Sequence, residues 1–93
     1  MIGPMVIAPK TVIMVLKGIE QHARAGNYDQ VEIQARSLLQ DLSAIDEAGE
    51  DRDRYRAAIP VIESLPGDAE QEDAAAVIAH VHTAQELLGF APE

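Results

Sequence analysis

Residues 26–45 read Gly26-Asn27-Tyr28-Asp29-Gln30-Val31-Glu32-Ile33-Gln34-Ala35-Arg36-Ser37-Leu38-Leu39-Gln40-Asp41-Leu42-Ser43-Ala44-Ile45, and they decide the fold. Tyr28, Val31, Ala35, Leu38, Leu42 and Ile45 recur at alternating steps of three and four. That spacing is the seam of a helix that packs along another helix, whereas a strand would alternate every second residue. Ile33 and Leu39 widen the stripe. Glu32 and Arg36, four apart, can pair on the outer face. The stretch predicts a helix over about 28–47.

Gly26 suits the left-handed residue that closes a preceding helix. Asn27 suits the cap of the next, with Gln30 at the capping-box position. The preceding helix is expected over about 9–25, with Pro9 in its first turn, where a missing N–H costs nothing. Leu16, Ile19 and Ala23 give it a stripe, but residues 11–16 (Thr-Val-Ile-Met-Val-Leu) are apolar on nearly every side. A strand is the competing reading of 11–16, since Thr, Val and Ile favour strands. The helical pattern continues through Gly18 and favours helix. Residues 1–8, interrupted by Pro4, read as an extended arm.

On the C-terminal side, a third helix is expected over about 51–65, with Tyr55, Ile59 and Ile62 inward. Pro60 kinks it and Pro66-Gly67 ends it. A fourth is expected over 68–88. Asp68 caps it, Gln71 holds the box position, and Glu70, Glu72 and Asp73 crowd its first turns, where the helix dipole favours acids. Its seam is Ala74, Val77, Val81, Ala84 and Leu88, with Gly89 closing it and Phe90 folding back. The expectation is one all-α domain over residues 1–93: a three- to four-helix bundle with an antiparallel helical hairpin and an N-terminal arm.

The run Ala25-Gly26-Asn27-Tyr28-Asp29-Gln30 resembles the turn between the two helices of a tetratricopeptide repeat, and Ala35 matches a further position of that pattern. The turn is also similar to that of the small helical chaperones of flagellar and type III export systems. The likeness covers residues 23–42. Val31 and Leu38 depart from it, standing where the repeat prefers Ala, and no second copy follows at the repeat's period. The resemblance implies a protein that binds other proteins rather than an enzyme.

Composition narrows function further. Tyr28, Tyr55 and Phe90 are the only aromatic residues, so the core is aliphatic. There is no cysteine, which excludes disulfides, thiolate nucleophiles and cysteine metal sites, and favours a reducing compartment. The first residues lack the basic start of a signal peptide, and no apolar run approaches the roughly 20 residues that span a bilayer. A cytoplasmic protein is expected. The net charge is -9. Residues 1–40 carry four bases and three acids, whereas residues 41–93 carry three bases and thirteen acids. Such a balance disfavours nucleic acid and anionic membranes as partners.

Chemistry is sparse. His82 and Glu86, four apart, could present two ligands to a metal, but a zinc site needs at least a third. His80 faces elsewhere and His22 lies on another helix. The carboxylates cluster in polar stretches, 46–53 and 63–73, with no apolar setting to raise a pKa. The three serines lack a nucleophile-elbow context, and no glycine-rich phosphate loop occurs. Arg52, Arg54 and Arg56 are interleaved with Asp51, Asp53 and Tyr55 and do not share one helix face, and the acids between them cancel the field. No catalytic residue, metal or cofactor is expected.

The expected function is a protein–protein interaction module (an adaptor, chaperone or regulator). Surplus apolar surface motivates it, at Met5, Val6 and Ile7 in the arm and Val12, Ile13, Met14 and Val15 in the first helix. A second copy of the chain is the simplest partner. Two alternatives stand beside it: an acidic decoy for a basic groove on a nucleic-acid-binding protein, and a metal-binding helical bundle.

Overall fold

A computed structural model describes residues 9–43 and 52–89. Among them are five helical segments: α1 (Pro9–Arg24), α2 (Tyr28–Ser43), α3 (Arg52–Glu63), α4 (Leu65–Glu70) and α5 (Ala74–Leu87). The protein is an all-α bundle, and no strand occurs among the described residues. Residues 11–16 are helical, so the strand alternative is set aside. The expected arm, residues 1–8, lies outside the described residues, as do Ile45 and Phe90.

α1 and α2 form the expected antiparallel hairpin. Gly26 takes the left-handed conformation at φ 79°. Its N–H donates to the Ala23 carbonyl at 3.1 Å, and the Asn27 N–H donates to the His22 carbonyl at 2.8 Å. These two bonds satisfy the Ala23 and His22 carbonyls in the last turn of α1. The Asn27 carbonyl then accepts from the N–H groups of Gln30 and Val31, which starts α2 on backbone bonds.

Around the bundle, α1 packs on α2 and α5, α2 packs on α4 and α3, and α3 packs on α5. α3 and α4 meet at Ser64 and together fill one side, so the arrangement is four-sided. The core is Val12, Leu16, Ile19 and Ala23 from α1, and Val31, Ala35, Leu38 and Leu42 from α2. Tyr55, Ala58, Ile62, Leu65 and Ala69 come from α3 and α4, and Val77, Val81, Ala84 and Leu88 from the α5 region. Within the described residues the seams of α2 and α5 follow their spacing, with Tyr28 and Ala74 only partly buried.

The supposed surplus on the first helix is corrected. Val12 is fully buried, and Ile13 and Val15 are partly buried against the core. With neighbours on two sides, α1 buries a broad arc, and at 100° per residue positions 12, 13, 15 and 16 fall within about half of its circumference. Met14 points the other way and is 66% exposed.

The region 64–73 also differs from expectation. Pro66-Gly67 does not end a helix but lies inside α4, and Asp68 is not a cap. Proline in the second position after the Ser64 restart gives up only an N–H that a helix start leaves unpaired. The break falls at Gln71–Asp73 instead. The Glu72 N–H donates to the Ala69 carbonyl at 3.0 Å and the Asp73 N–H to the Asp68 carbonyl at 3.0 Å. Glu72 supplies the left-handed residue, at φ 52°. Asp73 caps α5, its side chain accepting from the Ala76 N–H at 3.1 Å. Pro60 lies inside α3, which continues to Glu63.

Candidate functional site

Two histidines on α5 tie it to its neighbours. His82 Nε2 lies 2.6 Å from Glu20 Oε1 on α1, and Arg24 Nε donates to Glu20 Oε2 at 3.0 Å. Burial pushes the Glu20 carboxyl up. The hydrogen bonds from Arg24 and His82, with their positive charge, outweigh burial and leave it below the usual glutamate range. His80 Nδ1 lies 2.5 Å from Asp68 Oδ2 on α4. Gln85, a buried polar residue at 6% exposure, donates from Nε2 to the Ile13 carbonyl at 3.2 Å. On the other side of α1, His22 Nε2 lies 3.0 Å from Gln34 Nε2. These contacts clamp helices together.

The three histidines, with Glu20 and Asp68, are thus committed to side-chain pairs. His82 reaches Glu20 rather than sharing a ligand set with Glu86. No group of three or more His, Asp or Glu side chains that could hold a metal occurs among the described residues. An open hollow of about 360 Å³ lies at the end of the bundle where the two helical turns meet, lined by Gly26, Asn27, Tyr28, Asp29, Gln30 and Glu72. It is open and mostly polar.

Of the residues expected to meet a partner, Met5, Val6 and Ile7 lie outside the described residues. Val12 is core and is out of a partner's reach on this fold. Ile13 and Val15 are largely used by the bundle. Met14 is left, on the outer side of α1.

No protein-family model matches the chain, and neither a curated protein nor a solved structure matches it. Its geometry alone must therefore indicate a site.

Met14 stands on a line with Lys10, Lys17, Gln21 and Arg24, all exposed. In the sequence this ridge is overshadowed by the apolar residues between its members. Its signal was the seven-residue interval between Lys10, Lys17 and Arg24. Two other exposed large apolar residues, Ile33 at 58% and Leu87 at 37%, stand on different helices. No described helix is long and apolar enough to cross a membrane.

Proposed function

We propose that this chain is a non-catalytic protein–protein interaction module that offers the outer face of α1 to a partner. The observation that carries this reading is Met14, a large apolar side chain left 66% exposed among cations and polar groups. An apolar centre with a charged rim is the usual anatomy of a contact patch, and methionine adapts to the surface it meets.

A symmetric pairing of two copies centred on Lys17 is disfavoured. A two-fold axis at Lys17 sets Lys17 against Lys17 and Lys10 against Arg24, which brings like charges together.

A photo-cross-linking amino acid placed at position 14 in the native cell tests the reading. Position 37, the exposed Ser37 on α2, serves as control. The expected result is a discrete protein adduct from position 14 that Met14→Glu in a competing copy does not suppress and the wild-type chain does. Equal labelling from positions 14 and 37 counts against the reading.

A further inference from the structure

Lys10, Lys17 and Arg24 stand seven residues apart, and Met14 and Gln21 fall between them at the same interval. Seven residues are close to two helical turns, so the five side chains share one side of α1. That side is opposite Val12, Leu16, Ile19 and Ala23, which are buried. At 1.5 Å per residue the cations recur about every 10 Å. Lys10 and Lys17 are the only lysines of the chain. Neither forms an ion pair among the described residues. The one carboxylate of α1, Glu20, is turned towards α5 and held there by His82 and Arg24. Arg24 is thus already paired with Glu20, and the cations of the ridge left for a partner are Lys10 and Lys17, on a chain whose net charge is -9.

We propose that this ridge binds an acidic amphipathic helix of another protein, laid along α1. Two of its carboxylates, about seven residues apart, stand opposite Lys10 and Lys17. An apolar side chain between them packs on Met14. The proposal rests on the reading of the chain as an interaction module and names its partner's chemistry. Charge complementarity selects an acidic occupant, and the straight seven-residue repeat selects a helix. A polyanion fits less well. Two free cations neutralise about two phosphates, too few to hold a nucleic acid or an anionic membrane against repulsion from the acidic remainder of the molecule.

The test uses a fluorescent helical peptide of about 21 residues with glutamate at every seventh position and leucine between, at the spacing of the ridge. Anisotropy reads its binding to the full chain. Controls are a scrambled peptide of the same composition, a peptide with lysine in place of glutamate, duplex DNA and anionic vesicles. The patterned acidic peptide is expected to bind about tenfold or more tighter than the scrambled one. Raising salt from about 50 to about 500 mM should weaken it markedly. K10E/K17E, checked for an unchanged helical spectrum and melting curve, should lose about tenfold in affinity and gain affinity for the lysine peptide. Equal binding of the scrambled peptide, or no effect of K10E/K17E, overturns the proposal, as does tighter binding of DNA or vesicles. If position 14 cross-links a protein while the patterned peptide does not bind, this inference fails and the interaction reading stands. If position 14 yields no adduct, the interaction reading itself fails.

Discussion

Glu20 shows how one carboxylate couples two helices to pH. Its pKa is lowered in the folded chain, because Arg24 and His82 outweigh the effect of burial. A depressed carboxylate adds stability that is present above its unfolded value and is lost as pH falls through its folded value. Between pH 7 and about pH 3, the wild-type chain should therefore lose more stability than Glu20→Gln. Arg24 and His82 are largely exposed, so the difference should stay under about 1 kcal/mol. Urea midpoints of both proteins at the two pH values measure it, and equal acid losses would remove Glu20 from the account. Glu72 offers a second case at this scale. A side chain in the left-handed region costs about 1 kcal/mol, and Glu72 sits there at φ 52°. Glu72→Gly is expected to raise stability by about 0.5–1 kcal/mol. Gly26→Ala should lower it by about 1 kcal/mol through the backbone alone, because nothing lies within 4 Å of the added Cβ. Chemical denaturation of the two variants should give opposite signs.

Among the elements, α2 was the most legible, because its three-and-four spacing maps directly onto Val31, Ala35, Leu38 and Leu42 in the core. The seam of α5 was equally plain, yet its start was misplaced. Asp68 and Asp73 are both competent caps, and Gln71 three residues after Asp68 favoured the earlier one. The pairing of Asp68 with His80 on α5 depends on tertiary packing that no local pattern reports. The run 11–16 was misjudged for a related reason. Periodicity says which residues are apolar, but how wide an arc is buried depends on how many neighbours a helix has. The ridge was written in the sequence as a charge repeat, and only the position of the core made clear that it faces outward. Gly18 lets the same helix be tested for local propensity. A Cβ at Gly18 would meet Gln34 Oε1 at 3.9 Å, an ordinary contact. Gly18→Ala should raise the melting temperature, reflecting about 0.5–1 kcal/mol of helix propensity. A fall would show that the α1–α2 interface is tighter than its geometry.

For the whole molecule, a chain of 93 residues has a net stability of about 5–10 kcal/mol. A single core truncation is a large share of that. Leu16 is fully buried, and Leu16→Ala should cost about 2–5 kcal/mol, lowering the midpoint by at least about 10 °C. Met14→Ala, two residues away, should change stability by no more than about 0.5 kcal/mol. Thermal melts of the pair followed by circular dichroism compare a residue that holds the bundle together with one that only faces outward. A large loss from Met14→Ala would place it in the bundle's own packing and leave the outer face of α1 without its apolar centre.

The placement of Lys10 and Lys17 has a practical corollary for conjugation chemistry. They carry the chain's only side-chain amines, and both lie on the outer line of α1. Coupling through side-chain amines, whether by succinimidyl dyes, sensor chips or lysine-directed tethers, will therefore attach along that line and hold the molecule with it turned towards the support. Acylation there also erases the positive charge of each lysine it modifies. An immobilised binding assay built on amine coupling would occlude the surface it sought to measure, whereas coupling through carboxylates of the acidic C-terminal half would leave it open.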